Sequence, residues 1–413
     1  MMMDSAHRMS GQFDVMKQFS LPGEGISRLA FSEEDRKARE FIVRLMKDSG
    51  LTVRMDGFGN LYGRRQGIHR DGPAVICGSH VDSVPHGGNF DGTAGVLAAL
   101  EAVHMMNDSG YQNDYPLDIV LFSCEESSRF GVSTLGSKAM CGHIGMEDMH
   151  RIQDGSGQSL YEVMKGCGLH PEEVKQTVFP DRVRACFEMH IEQGRVLETL
   201  QKPIGIVTGI AAPTRLKVTV RGRSDHSGAT PMGMRRDALC AAADIILAVE
   251  KAARQAGDPY VGTVGIVKAS PNVMNVIPGQ VELGIDLRST QDKTALVSAV
   301  QESIRYIAAQ RGVDCPAEVL SDEDPVALSP AVIRTAEDVC RDSHIPYHMM
   351  TSGSGHDTMN LARLVPGGMI FIPCREGISH NPKEWADIKD IVRGTSVVYE
   401  VLCRLCSDSW KNA

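Results

Sequence analysis

Four short apolar runs in this 413-residue chain each lead towards a histidine or an acidic residue. Runs of this length and composition are typical of strands buried on both faces of a sheet. Because the loops that leave parallel strands converge at one edge of a sheet, the chain predicts a single site built from strand ends. The runs are residues 74–79 before His80, residues 117–123 before Glu125 and Glu126, residues 185–189 before His190, and residues 369–373 ahead of His380.

Strand and helix patterns alternate in the first half of the chain. Ser32 and Asp35 have capping-box spacing at the start of a helix, and Gly50 suits its C-terminal cap. Residues 51–62 alternate like an antiparallel strand that is broken by Gly57 and Gly59, and strand, helix and strand patterns then follow one another in residues 74–79, 92–106 and 117–123. This order predicts an α/β catalytic domain with a doubly wound, mainly parallel sheet.

A different pattern occupies the middle of the chain. Its order is βαββαβ, which predicts a ferredoxin-like α+β domain. Because the strand ahead of His380 comes later in the chain, this domain is predicted to be an insertion at residues 213–328, between catalytic parts at 1–212 and 329–413. Its predicted elements are strand 215–221, helix 237–256, strands 261–269 and 281–288, helix 293–311 and a short strand at 317–320.

The composition argues against several other classes of protein. A net charge of −9 disfavours nucleic-acid binding, which needs a dense basic face. No apolar stretch approaches about eighteen residues, and residues 1–25 have no secretory pattern, so we expect a soluble, cytoplasmic protein without a membrane partner. Eleven cysteines without paired spacing, among them Cys77, Cys186 and Cys240, are interpreted as reduced core residues.

Each candidate site residue has a second interpretation when it is taken alone. In an extended segment, Asp82 can hydrogen-bond the imidazole that His80 presents to a metal, although such a pair is more often a surface pair. Asp91 precedes an alanine-rich helix, and it suits a bridging ligand, a helix N-terminal acid or both. Two carboxylates at the end of a buried strand need a compensating charge, so one of Glu125 and Glu126 is predicted to be a ligand and the other a base, unless both are solvated loop acids.

Five residues in this chain order favour a two-metal hydrolase: His80, Asp91, Glu126, His190 and His380. The sequence around them resembles a known family. The resemblance is to the metal-dependent amidohydrolases of the aminoacylase and carboxypeptidase type, in the branch of N-carbamoyl-L-amino-acid hydrolases and allantoate amidohydrolases. His190 best distinguishes the ureido-cleaving branch from the peptidase branches, because the peptidase branches usually have an acidic residue at this metal position. The motifs that carry the resemblance are GSHVDS (78–83), GGNFDG (87–92), EE (125–126) with SRFG (128–131), HIEQG (190–194), GATPM (228–232) and GISHNP (377–382).

The resemblance implies two divalent metal ions per subunit. It assigns His80 and His190 to one ion, Glu126 and His380 to the other, and Asp91 to both as a bridge. Glu125 is then the general base, and Asp82 hydrogen-bonds the His80 imidazole and so fixes its tautomer. Imidazoles and carboxylates without a thiolate suit Zn²⁺ first, and Mn²⁺, Co²⁺ or Ni²⁺ as well.

The resemblance also implies residues that bind the substrate. In the inserted domain, which would act as lid and dimerisation domain, His226 resembles the residue that hydrogen-bonds the oxyanion. Asn275 and Arg288 resemble substrate anchors, and Arg288 would bind an α-carboxylate unless it forms a salt bridge to Asp286. In the catalytic domain, Gln193 would read the ureido amide, and a substrate-facing loop is predicted at Ser354, Gly355 and His356, where a plain turn before a helix at Thr358 is the alternative.

The predicted reaction is hydrolysis of the ureido C–N bond of an N-carbamoyl-L-amino acid to the amino acid, ammonia and carbon dioxide. Allantoate is the second candidate substrate, followed by ureidopropionate or a dipeptide, and a catalytically inactive binding protein is a third class. The family pattern further implies a homodimer that carries His226 and Asn275 into the neighbour's site. Three departures from the pattern leave the sub-branch open: Cys124, Ser127 and Ser354.

Overall fold

The computed structural model describes residues 2–176 and 183–411. The chain divides into two compact units. One is formed by Met1–Thr208 with Ala327–Ala413, and the other by Gly209–Val326. The divisions lie close to the predicted boundaries at 212/213 and 328/329. The larger unit contains both the N-terminal and the C-terminal part of the chain, as expected for a domain that is interrupted by an insertion.

The helices of the described residues include long ones that cover the sheets and short ones within loops. In chain order they are α1 (Met2–Met16), α2 (Glu33–Asp48), α3 (Thr93–Asp108), α4 (Leu135–Met140), α5 (Met146–Arg151), α6 (Leu160–Gly166), α7 (Val196–Leu200), α8 (Ala238–Ala256), α9 (Thr294–Arg311), α10 (Pro330–Asp342), α11 (Thr358–Leu361) and α12 (Ile388–Leu405).

The strands form one sheet in each unit. In chain order they are β1 (Thr52–Met55), β2 (Leu61–Arg65), β3 (Ala74–His80), β4 (Leu117–Phe122), β5 (Val183–Ile191), β6 (Ile204–Ile210), β7 (Ala212–Arg221), β8 (Val261–Ser270), β9 (Gln280–Ser289), β10 (Ala317–Asp322), β11 (Val326–Ala327), β12 (Tyr347–Ser352) and β13 (Gly367–Ile372).

The sheet of the larger unit has a parallel centre. Its order is β1-β2-β4-β3-β5-β13-β6-β11, and β12 pairs with β6. The pairs β3–β4, β3–β5 and β5–β13 are parallel, whereas β1, β2 and β6 join in antiparallel fashion. The predicted fold class is therefore confirmed. All residues of β3, β4 and β13 are buried, which explains why their sequences are continuous apolar runs.

Two helices pack against the central strands and fix the position of the N-terminus of α3. Helices α3 and α12 pack on each other and on β3 and β5. A methyl group at Gly95 would lie 2.2 Å from the Met189 carbonyl oxygen, so glycine is required for α3 to approach β5 this closely. The N-terminus of α3, with Asp91 just ahead of it, is thereby held over the end of β5.

The smaller unit has the predicted ferredoxin-like topology. Its antiparallel sheet has the order β10-β7-β9-β8, and α8 and α9 share its apolar core. Asp237 caps α8 by accepting hydrogen bonds from the backbone N–H groups of Leu239 and Cys240. Numbered within this unit, the strand order is 4-1-3-2, which follows from a βαββαβ chain.

Three local predictions need correction. Cys167 and Cys240 are exposed and Cys315 and Cys403 are partly buried, whereas Cys77 and Cys186 are buried as predicted. For Cys240 the reason is that Ala238, Ala241 and Ala242, on the opposite side of α8, face the core. The chain begins with α1, a helix that the sequence pattern did not predict. The Asp35 carboxylate accepts from the Phe31 backbone N–H, one residue before the position that a capping box requires, although Ser32 caps α2 as predicted.

No helix in residues 2–176 and 183–411 is long and apolar enough to cross a membrane.

Candidate metal centre

The five predicted ligands meet at the carboxyl edge of the parallel strands. His80 is the last residue of β3, and His190 is the last but one of β5. Glu126 follows β4, and His380 lies in the loop after β13. Asp91 stands before Gly92, the N-cap of α3, so it is the one ligand that a helix positions.

Three of these residues form a buried group around one oxygen of Asp91. Asp91 Oδ1 lies 3.4 Å from His80 Nε2 and 3.2 Å from His190 Nε2. The two imidazole rings stack with their centroids 5.9 Å apart. Their ligating atoms lie within 4.8 Å of one another, a spacing that a single ion can bridge.

The other oxygen of Asp91 faces a second group. Asp91 Oδ2 lies 3.5 Å from His380 Nε2, which is 3.2 Å from Glu126 Oε1. The ligating atoms of these three residues also lie within 4.8 Å of one another. The His380 side chain is 48% exposed, whereas that of His80 is 2% exposed, so this second group is the one open to solvent. A carboxylate with one oxygen towards each group has the arrangement of a bridging ligand.

Hydrogen bonds fix the tautomers of the two buried histidines. His80 Nδ1 lies 3.0 Å from the Asp82 carbonyl oxygen, and His190 Nδ1 lies 2.9 Å from the Ile191 carbonyl oxygen. A carbonyl oxygen only accepts, so each Nδ1 carries a proton, and in the neutral ring the lone pair is on Nε2. The Gly92 N–H, which donates to His190 Nε2 at 3.0 Å, agrees with this assignment.

The charges around the site favour a cation. Burial alone would lower the pKa of His80, but the carboxylates of Glu125, Asp91 and Asp82 raise it well above its ordinary value. Burial would raise the pKa of Asp91, yet the surrounding histidines, His190 first, hold it well below its ordinary value. The same carboxylates that stabilise a protonated imidazole also attract a divalent ion.

The donor set fits such ions. In the described part of the chain, the ion pairs of Asp91, Glu125 and Glu126 are formed with histidines and not with lysine or arginine. Buried carboxylates without a permanent cationic partner are costly unless a metal compensates them. Imidazole nitrogens and carboxylate oxygens are ligands of Zn²⁺, Mn²⁺, Co²⁺ and Ni²⁺.

Glu125 stands beside these groups without belonging to either of them. Its Oε2 lies 3.7 Å from His80 Nε2, and its carboxyl group is buried. Burial raises the pKa of Glu125 well above its ordinary value, and the neighbouring Glu126 and Asp357 add to the rise, while His80 opposes it. A carboxylate with a raised pKa beside a candidate metal site has the properties of a general base.

Asp82 lies beside His80, and its closer contact is made by the backbone. The Asp82 carbonyl oxygen lies 3.0 Å from His80 Nδ1, whereas the carboxylate oxygen Oδ1 lies 3.7 Å from the same nitrogen, too far for a hydrogen bond. The Asp82 carboxylate instead accepts the backbone N–H of Glu125 at 3.2 Å and that of Glu126 at 3.0 Å. Asp82 therefore connects the first ligand loop with the loop that carries the candidate base.

Gln193 contacts the site by a different route from the predicted one. Its Nε2 donates to Asp91 Oδ2 at 2.6 Å, and its Oε1 is buried without a hydrogen-bond partner. Ser379 Oγ lies 2.8 Å from the same Asp91 oxygen and 2.9 Å from Glu384 Oε2, so its single proton is shared between these two acceptors. Neither Ser379 nor Glu384 was predicted as a site residue, because neither lies at a strand end or in a periodic segment.

The predicted substrate loop begins with a turn. The Ser352 hydroxyl donates to the Ser354 carbonyl oxygen at 2.8 Å and accepts from the Ser354 N–H at 3.2 Å. His356 is buried, with Nε2 2.9 Å from Ser352 Oγ and its ring edge-on to His190 at 4.7 Å. Ser354 and Gly355 stay candidates for substrate contact, whereas the contacts of His356 are those of a residue that supports His190.

Two predicted residues of the smaller unit are neighbours. His226 pairs with Val276, and the Ser227 N–H donates to the Asn275 carbonyl oxygen at 3.1 Å. His226 Nδ1 accepts from the N–H groups of Gly228 at 3.0 Å and Ala229 at 3.2 Å, so its proton is on Nε2. An exposed imidazole N–H of this kind can donate to a developing oxyanion.

Arg288 forms the salt bridge that was the alternative to substrate anchoring. Its Nε lies 2.8 Å from Asp286 Oδ1, and its Nη2 lies 3.1 Å from Asp286 Oδ2. Arg215 approaches the same carboxylate at 3.2 Å. The anchoring role of Arg288 stays a prediction, and it requires that a substrate join or replace this pair.

Three residues in or next to the site have a left-handed backbone conformation, as do seven other non-glycine residues of the described chain. Cys124, Gln193 and His380 have φ values of 56°, 57° and 55°, in the left-handed region that residues other than glycine seldom adopt. Each is a candidate site residue or adjoins one. Strain of this kind persists where surrounding contacts hold a side chain in one required direction.

Comparison with known proteins identifies the family. The model of Peptidase family M20/M25/M40 matches residues 76–404, from β3 to α12. The chain belongs to this family. It is therefore a hydrolase, and the resemblance seen in the sequence is confirmed.

The chain is similar to several curated relatives over nearly its whole length. An N-carbamoyl-L-amino acid amidohydrolase of Geobacillus stearothermophilus is 41% identical and is aligned over 93% of this chain and 94% of its own. The allantoate amidohydrolase of Escherichia coli is 38% identical over 93% of this chain and 94% of its own. A ureidoglycolate hydrolase of Oryza sativa is 38% identical over 95% of this chain and 83% of its own.

Solved structures agree with this assignment. An amidase of the hydantoinase/carbamoylase family from Burkholderia multivorans superimposes with a TM-score of 0.92 and 33% identity, over 98% of both chains. AtUAH in complex with glyoxylate superimposes with a TM-score of 0.85 and 35% identity, over 97% of both chains.

Proposed function

We propose that this protein hydrolyses the ureido C–N bond of N-carbamoyl-L-amino acids to the amino acid, ammonia and carbon dioxide. The observation that carries the proposal is the pair of three-residue groups that share Asp91, with the buried Glu125 beside them. His190 supports the ureido branch, because the resemblance associates an acid at this position with peptidases. The carbamoyl substrate is favoured by relatives of that name at 37–41% identity.

Two divalent ions would be held by His80, His190 and Asp91 and by Asp91, Glu126 and His380. Ions at these places supply Lewis acidity towards the substrate carbonyl and lower the pKa of water. The protein residues orient the ligating atoms and exclude bulk water. Both Nε2 atoms of the buried histidines are fixed towards Asp91 by their Nδ1 hydrogen bonds, and the burial of His80 and His190 keeps bulk water from their side of the site.

Glu125 would move the proton. Its carboxylate accepts a proton from the attacking water at Oε1 or Oε2 and gives it to the leaving nitrogen, so that ammonia departs. Asp82 holds the backbone of Glu125 through the N–H hydrogen bond at 3.2 Å.

A second substrate class is favoured by specific relatives. Allantoate amidohydrolase and ureidoglycolate hydrolase relatives are each 38% identical to this chain, and their substrates also combine a ureido group with a carboxylate. A screen for ammonia release should therefore include N-carbamoyl-L-amino acids, ureidopropionate, allantoate and ureidoglycolate, with dipeptides as the peptidase control. We expect the highest kcat/KM with a carbamoyl amino acid, and a higher value with any other class would contradict this choice of substrate.

Replacing Arg288 with lysine should impair substrates that bear a free α-carboxylate by roughly 2–4 kcal/mol in kcat/KM, because a bidentate partner loses one arm. Carboxyl-amidated substrates should be poor with both proteins. The matched control is Asp286→Asn, which removes the observed salt-bridge partner and keeps the guanidinium group. If both variants lose stability and neither changes the preference for acid over amide, Arg288 is a structural residue only.

We also propose that the protein is a homodimer in which His226 serves the neighbour's active site. Mixing unfolded and refolded Glu125→Gln and His226→Ala chains should then restore activity, because a mixed dimer has one site with both residues intact. About a quarter of all sites would be whole in a random one-to-one mixture. Activity that never exceeds that of the two parents would mean that His226 serves its own chain or that no dimer forms.

A further inference from the structure

A buried acid, Glu384, joins two of the ligand loops. Its side chain is 4% exposed, four residues after His380. Its Oε1 accepts the backbone N–H of Phe90 at 2.9 Å and that of Asp91 at 3.0 Å. Its Oε2 accepts the Ser379 hydroxyl at 2.9 Å. One carboxylate therefore fixes both the backbone of the shared ligand Asp91 and the residue before the ligand His380.

The close approach of Glu384 depends on a glycine. A methyl group at Gly88 would lie 2.0 Å from Glu384 Oε1, so only glycine leaves room for the carboxylate. The ring of Trp385, the next residue, packs edge-on against Phe90 with centroids 5.4 Å apart. The two segments are thus held together by polar and apolar contacts.

Ser379 connects Glu384 with the carboxylate of Asp91. Its Oγ lies 2.8 Å from Asp91 Oδ2, and the same hydroxyl contacts Glu384. Asp91 Oδ2 is the oxygen that faces His380 Nε2. The histidines around Asp91 Oδ1 are held differently, by their own strands and by carbonyl oxygens at Nδ1. Glu384 therefore acts on one side of Asp91 more than on the other.

We propose that Glu384 is a positioning residue that sets the orientation of Asp91 and, through it, the affinity of the Asp91–Glu126–His380 group for its ion. The inference rests on the metal roles proposed above. Residues that orient a metal ligand typically contribute about 10- to 100-fold to metal affinity. A role confined to joining two loops would instead affect stability and leave the ion affinities unchanged.

The first variant is Glu384→Gln. It keeps the size of the side chain, but its amide NH₂ cannot accept, so either the backbone N–H groups of Phe90 and Asp91 or the Ser379 hydroxyl loses its acceptor. Ser379→Ala removes the link to Asp91 Oδ2 with a smaller change. Asp56→Asn is the matched control, because the Asp56 carboxylate accepts three backbone N–H groups in a turn that contains no candidate ligand.

The experiment is a Zn²⁺ titration of chelator-treated protein in competition with a chromophoric chelator, with the thermal unfolding midpoint measured in parallel. We expect two ions in the wild type. In Glu384→Gln and Ser379→Ala, one ion should bind about 10- to 100-fold more weakly and the other as before. The kcat measured at limiting Zn²⁺ should fall, and excess Zn²⁺ should restore it. His380→Ala and His80→Ala identify the groups, and Glu384→Gln should match the loss seen in His380→Ala.

The outcomes separate this inference from the proposed function. Unchanged affinities for both ions in Glu384→Gln and Ser379→Ala would overturn the inference, and a lowered unfolding midpoint alone would then assign Glu384 a structural role. If Glu384→Gln does not fold, the affinities of Ser379→Ala decide. A wild type that binds fewer than two ions would overturn the proposed metal roles themselves. The Asp56→Asn control should bind both ions as the wild type does.

Discussion

Replacing Glu125 with glutamine is expected to lower kcat by about two or more orders of magnitude while both ions stay bound. The physical reason is that an amide cannot accept a proton from water, whereas the ligating atoms of both candidate groups belong to other residues. Glutamine has nearly the same shape as glutamate, and the Asp82 contact uses the Glu125 backbone N–H, which the substitution keeps. The measurements are kcat and the metal content by mass spectrometry.

Glu126→Gln is the matched comparison. It changes the adjacent residue in the same way, but Glu126 Oε1 lies 3.2 Å from His380 Nε2 and belongs to the second candidate group. This variant should lose an ion together with its activity. A Glu125→Gln protein with wild-type kcat, or one that loses metal as Glu126→Gln does, would show that the two roles are assigned wrongly.

Asp91→Asn should have a larger effect, because Asp91 is the residue that both groups share. An amide oxygen binds a divalent ion more weakly than a carboxylate oxygen, and the amide NH₂ is no ligand, so the site should hold at most one ion. Loss of the Lewis acidity of an ion is worth several kcal/mol, so kcat/KM should fall by about three or more orders of magnitude.

The amount of bound Zn²⁺ per chain checks this expectation directly. Asp56→Asn is again the control, since it alters an acid that accepts backbone N–H groups away from the candidate ligands. Two ions per chain in Asp91→Asn, bound as tightly as in the wild type, would contradict a bridging role for Asp91.

The sequence predicted the positions of the ligands well because strand ends are regular features. A buried parallel strand gives a continuous apolar run, and the first polar residue after it must lie at the sheet edge. His80 and His190 follow from this rule, and so does the pair Glu125 and Glu126, within which the resemblance made Glu126 the ligand. Asp91 and His380 lie in loops; they were candidates from the helix after Asp91 and the apolar run ahead of His380, and the resemblance assigned their roles.

The contacts of the site were less predictable, because they depend on how loops fold back. Asp82 lies two residues after His80, and its carboxylate stays 3.7 Å from His80 Nδ1. Its hydrogen bonds, however, are accepted from the backbone N–H groups of Glu125 and Glu126 in the loop after β4, and the sequence did not predict them. Glu384 reaches Asp91 across almost three hundred residues of chain, and no periodic pattern marks such a contact.

In the smaller unit, too, the fold could be predicted from the sequence, whereas the contacts of a candidate site residue could not. Its strand order follows from βαββαβ connectivity, so the fold could be predicted from the pattern of elements. For Arg288, the same strand also places Asp286 two residues away on the same face, and the structure has the salt bridge between them. A pattern that permits a salt bridge and a carboxylate anchor equally well does not distinguish between them.

A two-metal site that hydrolyses a ureido bond, as proposed for this chain, requires bound metal for activity. The most direct measurement is ammonia release from N-carbamoyl-L-amino acids by chelator-treated protein as Zn²⁺, Mn²⁺, Co²⁺ or Ni²⁺ is added back. We predict negligible release without metal and full activity at two equivalents of the effective ion per chain. Release that does not depend on added metal, or no release from any ureido substrate with any of the four ions, would contradict the claim.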